Sequence, residues 1–450
     1  MTNFVFSRRS MQDAIDRISA VLTEDQGKSL VARLNRLDDG RLPAMWELLV
    51  LDALSFVGAL KHEICLPNGR RPDIELTLEA GSPDSAIKIV ADVASVSDAG
   101  LDEQNPIKEF ASEIRRLAVK FGLEAGTFSW RVDGAADGPF RDRKMRLRLP
   151  PKAKLFALVR DEISPWMQSL QHARDETATF SKNSEDSAFE IKYHPGQLMS
   201  GGSYLSYDVA ASLKKNPLYN ALKAKARQLR DAPDDTIRLI FACDGDCAVM
   251  RQPTRSQGIY SSQEVAREFL RQNSSVDGVV LISVEERHNA IGPGVRRNVR
   301  VDVVLSDPQT SKRLTPHSIQ TLERVLRVAT QRFPQPKYSI YNAVVRCKES
   351  KFGDDRMGGY KMDSTEVSIS SRALQRLLAG AITLEAFQAA HQWDQANGPT
   401  NPFLFALMKG RLIQHVNVES GGDNDDDWFH FTFGRPDPAA SDFRWPSAEM

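Results

Sequence analysis

The sequence predicts an α/β protein, and three observations carry that expectation. A long apolar helix opens at Pro43, three short strand candidates bounded by turn residues follow it, and strands alternate with helices again between residues 187 and 306. Ahead of these, apolar residues at helical spacing (Ile15, Ile18, Val21 and Leu22, then Leu30, Val31, Leu34 and Leu37) predict a helical hairpin over 1–40. It ends at Asp38-Asp39-Gly40. Its expected role is packing.

The helix PAMWELLVLDALSFVGAL has proline in its first turn and Gly58 near its end, and it is apolar enough to be buried. Glu47, Asp52 and Ser55 are its strongly polar side chains. HEICL (62–66), RPDIEL (71–76) and AIKIVADVA (86–94) then read as strands, separated by Pro67-Asn68-Gly69 and Gly81-Ser82-Pro83-Asp84. The stretch PIKEFASEIRRLAVKFG (106–122) repeats apolar residues at helical spacing, and GTFSWRV (126–132) reads as one more strand, so that 41–135 has the order αβββαβ. Residues 136–186 break into a turn, a basic run, a helix near 155–172 and a polar stretch, as expected of an insertion or linker. A second α/β region over 187–306 and a mainly helical region over 307–450 complete the chain, the latter with helices near 315–332, 371–391 and 402–413.

A chain of 450 residues is long enough for two or three units with ample cores. Its four cysteines, Cys65, Cys243, Cys247 and Cys347, are too few and scattered for a disulfide framework, which fits a reducing compartment. With no secretory leader pattern and no apolar run of membrane-spanning length, a cytoplasmic protein without a membrane partner is expected. Basic and acidic residues balance at 59 each, so only local charge can point to a polyanionic partner.

Strand alternation separates Asp73 and Glu75 from Ile74, Leu76 and Leu78. It also places Asp92 with Lys88, Val90 and Ala94 on one face of the next strand. If the two strands are neighbours, Asp73 and Asp92 converge. Two close carboxylates repel, and one retains its proton unless a cation lies between them. Hard oxygen donors of this kind suit Mg²⁺ better than zinc. Glu47, flanked by apolar residues on a helix with little solvent face, also needs a partner: the same cation, or an arginine.

These residues and the element order resemble the PD-(D/E)xK phosphodiesterase superfamily. Its restriction-endonuclease-like αβββαβ core carries a helix glutamate, a Pro-Asp pair on one strand and a (D/E)-x-K triplet on the next. The matching positions are Glu47, Pro72-Asp73 and Asp92-Val93-Ala94, within residues 43–132. The resemblance implies a nuclease in which Glu47, Asp73 and Asp92 hold Mg²⁺ or Mn²⁺. The motif lysine, which helps position the attacking water, is replaced by Ala94. Some members supply that lysine from a neighbouring helix, and Lys108 is the first candidate here, with Lys120 the second.

The segment 141–154 carries Arg141, Arg143, Lys144, Arg146, Arg148, Lys152 and Lys154 against the single acid Asp142, a local field suited to phosphate backbones. The alternative is a surface whose charges meet acids elsewhere. Lys223, Lys225, Arg227 and Arg230, on the helix NPLYNALKAKARQLRD, read as an amphipathic helix whose lysines could line the same groove. Arg296, Arg297 and Arg300 read as ordinary surface, and CDGDC (243–247) as a tight turn at a strand end. No nucleotide-binding loop, serine-hydrolase elbow or zinc-protease motif occurs.

The expectation is a metal-dependent nucleic-acid phosphodiesterase. The resemblance narrows it to a DNA endonuclease of bacterial anti-phage defence, alone as a homo-oligomer or with partner subunits. The alternative is a catalytically silent, nuclease-like binding or assembly module, and a third reading is a purely structural scaffold.

Overall fold

A computed structural model describes residues 5–437 apart from 37–39, 67–68, 80–85, 140–141, 198–199, 253, 256–257, 289–294, 310, 342–360, 363–364, 392, 394–400 and 422–426. The chain divides into two compact units: Met1–Ala53 with Glu286–Asn298 and Arg332–Met450, and Leu54–Glu285 with Val299–Gln331. No described helix is long and apolar enough to cross a membrane.

The first unit begins with α1 (Arg8–Ile18), α2 (Glu24–Leu34) and α3 (Arg41–Ser55). The expected hairpin is α1 and α2. The Thr23 hydroxyl accepts from the Gln26 amide while the Gln26 side chain accepts from the Thr23 amide, a reciprocal box that starts α2. The apolar residues Met45, Trp46, Leu48, Leu49, Val50 and Leu51 make α3 a buried helix. Both of its acids are matched from the hairpin. Arg17 donates Nε and Nη2 to the Asp52 carboxylate at 2.8 Å each, and Arg33 donates Nη1 and Nη2 to Glu47 at 2.6 and 2.7 Å. These parallel N–H forks fasten α1 and α2 to α3.

The second unit contains β1 (Ala59–His62), β2 (Ile74–Leu78), β3 (Ile87–Val96), α4 (Ala99–Gln104), α5 (Ile107–Lys120), β4 (Phe128–Val132), β5 (Gly134–Asp137), β6 (Lys144–Leu147), α6 (Lys152–Leu158) and α7 (Ser164–Ser169). It continues through β7 (Ala178–Asn183), β8 (Ala188–Tyr193), β9 (Gly201–Tyr204), α8 (Pro217–Leu229), β10 (Ile237–Asp244), α9 (Ala248–Arg251) and α10 (Ser262–Gln272). Then come β11 (Gly278–His288) and β12 (Val295–Leu305), which belong to this unit up to Glu285 and from Val299, and α11 (Pro316–Thr330).

The central sheet has the order β1-β2-β3-β10-β11-β12. β1 and β2, and β2 and β3, pair antiparallel; β3, β10 and β11 run parallel. β10 is buried along its whole length, as a strand with neighbours on both sides and cover on both faces must be. Val90, Ala94, Ile240 and Ala242 pack with Leu218, Leu222 and Leu229 of α8 and Phe269 of α10.

The expected αβββαβ run over 41–135 is therefore corrected in its last two elements. β4 joins a separate sheet, β7-β8-β4-β9, where Phe128 and Val132 share a core with Phe110 and Ile114 of α5 and Phe189 of β8. The strand beside β3 is β10, and the connecting helix against it is α8. Periodicity identified both 126–132 and 237–244 as strands, but it contains nothing about which sheet a strand joins.

CDGDC forms the expected turn. The buried Asp244 carboxylate accepts from the Asp246 and Cys247 amides, and Asp246 has φ +78°. Burial raises Asp244 and its neighbour Asp98 to about 6 each. The region after 307 is less helical than expected. β13 (Lys361–Met362), β14 (Glu366–Ser370), α12 (Ser371–Leu378), α13 (Leu384–Ala390), α14 (Pro402–Met408), β15 (Arg411–Glu419) and β16 (Trp428–Pro436) include a four-stranded sheet of order β13-β14-β16-β15. The helix expected to reach 413 stops at Met408, because Gly410 takes a left-handed conformation (φ +70°) and the chain reverses into β15.

Candidate functional site: a paired-aspartate site on the central sheet

Asp73 immediately precedes β2, and Asp92 lies in the middle of β3. The antiparallel register sets Ile74 opposite Ala91, which brings the two aspartates side by side. The Asp73 carboxylate is anchored by the Val93 amide, which donates to Oδ2 at 2.7 Å. His62, buried at the end of β1, contacts the Asp73 carbonyl through Nδ1 at 2.7 Å. Asp92 faces α8, whose Lys225 places Nζ 2.5 Å from Asp92 Oδ1 and 3.7 Å from Asp73 Oδ2.

Access to the site is graded. The Asp92 side chain is 1% exposed, whereas those of Asp73 and Lys225 are 21% and 24% exposed, so solvent reaches the outer carboxylate and the ammonium but not the inner acid. Asp92 Oδ2 is buried with no hydrogen-bond partner. Burial, then the hydrogen bond and charge of Asp73, push Asp92 up to about 9 against the pull of Lys225. Burial also opposes ionisation of Asp73, but the Asp92 hydrogen bond, the Lys225 charge and the Val93 amide outweigh it and hold Asp73 below the usual range. The pair thus carries one proton at neutral pH, and that proton belongs to the couple.

Two of the three expected acids meet here, and the third is accounted for differently. Glu47, 8% exposed, is engaged by the bidentate Arg33 guanidinium within the first unit. It is a neutralised core glutamate. Lys108 is likewise placed elsewhere than expected: it is exposed on α5 and pairs with Asp102 at 2.8 Å, and the basic nitrogen at the aspartates is that of Lys225. Leu218, Leu222, Lys225 and Leu229 recur at helical spacing, so Lys225 interrupts an apolar stripe. A lysine so placed requires a buried anion, and this is the signal that singles it out among the basic residues of α8. Nothing in the sequence marked His62.

Two charges of the basic run are met by acids and two more basic side chains by neutral acceptors. Arg146 pairs with Asp137 at 3.2 Å and Lys152 with Glu109 at 2.7 Å, while Lys144 donates to Gln104 at 3.0 Å. Arg148 donates to Asn183 and to the Ser184 carbonyl. Arg143 is half-buried, Lys154 is exposed, and Arg141 lies outside the described residues. Arg297 and Arg300 pair with Glu286 and Asp302.

Among the described residues no cluster of three or more His, Cys, Asp or Glu has the arrangement of a metal centre. The donor set that does exist is two carboxylates, of which the outer one, Asp73, is reached by solvent. A carboxylate so placed is the kind of oxygen donor that a small hard cation such as Mg²⁺ takes beside its water ligands. Set against known families, curated proteins and solved structures, the chain has no match.

Proposed function

We propose that the chain is a metal-dependent phosphodiesterase acting on nucleic acid, built on a restriction-endonuclease-like core of β1, β2, β3, α8 and β10, with residues 97–216 inserted before α8. Asp73 and Asp92 would hold Mg²⁺ or Mn²⁺. The single observation that carries this reading is the lysine: a basic nitrogen 2.5 Å from Asp92, brought to the paired aspartates by a helix, as the resemblance asks of a member whose triplet lacks its own. Ala94, which replaces that triplet lysine, belongs to the same buried core as Leu222 and Ala226 of α8, and a small residue at 94 suits the close packing of the helix that delivers Lys225.

Charge supports the same reading. Asp73 and Asp92 with Lys225 total −1 when both acids are ionised, and burial with the charge of Asp73, which pushes Asp92 up to about 9, favours a proton on the pair. A divalent cation in place of the proton leaves the group at +1, matched to the single negative charge of a phosphodiester. When bound, the metal would supply charge stabilisation at the phosphoryl oxygens and a more acidic water. The chain's own contributions are the fixed Asp73 carboxylate, anchored by Val93, and the Lys225 ammonium, which can orient a water or a phosphoryl oxygen at the exposed side of the site. A DNA endonuclease of anti-phage defence is the narrower form of this reading and derives from the resemblance alone.

The second reading, nucleic-acid binding without cleavage, draws on the direct Lys225–Asp92 contact, which already neutralises one carboxylate oxygen. Incubating the chain with linear DNA, supercoiled DNA and RNA, in Mg²⁺, in Mn²⁺ and in chelator, separates the two. Metal-dependent cleavage that is lost in Asp92→Asn and in Lys225→Met is expected. Binding without cleavage in either metal would establish the silent module, and cleavage that persists in Asp92→Asn would remove the site assignment.

A further inference from the structure

The sheet of the first unit ends, among the described residues, in a strand with nothing beside it: β15 is last in the order β13-β14-β16-β15. Free edges are normally protected by charge, proline or brevity. β15 has nine residues, and from Leu412 to Val418 it carries no Lys, Arg, Asp, Glu or Pro. Val416 and Val418 pair with Phe431 and Phe429 of β16, which puts them on the face that carries the core, yet they are 49% and 60% exposed. The adjoining α14 leaves Leu404, Leu407 and Met408 about half exposed, and Ile413, which pairs with Phe433 and is 47% exposed, extends the apolar area of Val416 and Val418. Among the described residues, an uncovered edge and an uncovered apolar face therefore coincide on one strand, as they do at interaction surfaces.

We propose that β15 is the seam of a homodimer, pairing antiparallel with β15 of a second copy about a two-fold axis at Asn417, so that two four-stranded sheets become one of eight. The register follows from the strand itself. Its ladder to β16 is irregular between Arg411 and His415 and regular from His415 to Glu419, and Asn417 is the centre of the regular part. Antiparallel self-pairing about Asn417 sets Val416 against Val418 of the copy twice, which joins four valines on the apolar face. On the other face it sets His415 against Glu419 of the copy twice. Glu419 already accepts a 2.6 Å contact from His430 Nε2 on that face, so a carboxylate is in place for a second imidazole. No like charges meet. Such self-complementarity is what a closed two-fold interface requires.

Light scattering on the full chain tests this, with twice the chain mass expected. The double variant Val416→Lys/Val418→Lys is expected to be monomeric with its thermal unfolding otherwise retained. Should that variant fail to fold, oxidation of Asn417→Cys decides: a cysteine on the axis faces its own copy and links into a covalent dimer, whereas His415→Cys, offset from the axis, does not. A monomeric wild-type chain, a dimer that survives the two lysines, or equal cross-linking at 415 and 417 would overturn the proposal.

Discussion

Two groups of buried acids in this chain are handled in opposite ways. On α3, Glu47 and Asp52 each have an arginine of their own, joined by two N–H···O bonds, so each pair sums to zero. On the central sheet, Asp73 and Asp92 share one lysine, so a negative charge is left over and one acid takes a proton. Removing a carboxylate from water costs several kcal/mol unless a cation is in contact with it. A balanced pair recovers that cost within the protein and has no further need. An unbalanced pair still has a place for a cation, and this difference distinguishes a structural clamp from a candidate reaction site.

The largest effect expected is on the unbalanced side. Lys225→Met should lower metal-dependent cleavage by about 10²–10⁴-fold in single-turnover assays, the range usually lost with a positioned proton-transfer or water-orienting group. Arginine at 225, which keeps charge but changes shape, should restore little of it. Glu47→Gln should do the reverse: it removes one charge of the Arg33 pair and costs about 2–3 kcal/mol in urea unfolding, with the cleavage rate per folded molecule unchanged. A Glu47→Gln chain of full stability and no activity would break the contrast, because it would make Glu47 a third metal ligand.

A smaller effect concerns pH. Asp92 has a folded-state pKa of about 9, above its unfolded value near 3.8, so its favourable contribution to stability is complete below pH 3.8 and disappears as pH rises towards 9. Replacement by asparagine removes that loss. Asp92→Asn should therefore gain stability relative to the wild type as pH is raised from 5 to 8, by up to about 4 kcal/mol, as read from denaturant midpoints without added metal. A saturating divalent cation should favour the wild type and shrink the difference. A difference independent of both pH and metal would mean that the two aspartates do not share a proton.

Much of the strand content was legible in the sequence, because alternation and turn residues are local signals. The sites of Asp73 and Asp92 were legible for the same reason: period two fixes the face each occupies, and neighbouring strands do the rest. The identity of the basic partner is not a local signal. Nearness to β3 in the chain points to Lys108, but α5 packs with β4 of another sheet, and the helix on β3 comes 121 residues after Val96, at Pro217. The matching of Glu47 by Arg33 was equally hidden, since any of several arginines in the hairpin satisfies the same need for charge. Sequence reports that a buried charge needs a partner; topology decides which partner arrives.

The smallest expected effect lies in the basic run, which extends the contrast to the surface. Were Arg146 and Lys152 free to meet a phosphate backbone, removing either would reduce the salt dependence of nucleic-acid binding by about one unit of logarithmic slope. Their charges are instead committed to Asp137 and Glu109, as balanced as those of α3 but exposed to solvent. Exposed pairs contribute about 0–1 kcal/mol, so Arg146→Ala and Lys152→Ala should each change stability by less than about 0.5 kcal/mol. Their effect on the slope should be well below one unit, because the acid each leaves behind repels the phosphate that the lost cation had never held. Lys154 is exposed, and its ammonium makes no salt bridge or hydrogen bond among the described residues, so Lys154→Ala should change the slope more than either neighbour. Equal slopes for all three variants would show that the pairs open on binding and that the run acts as a single cationic surface.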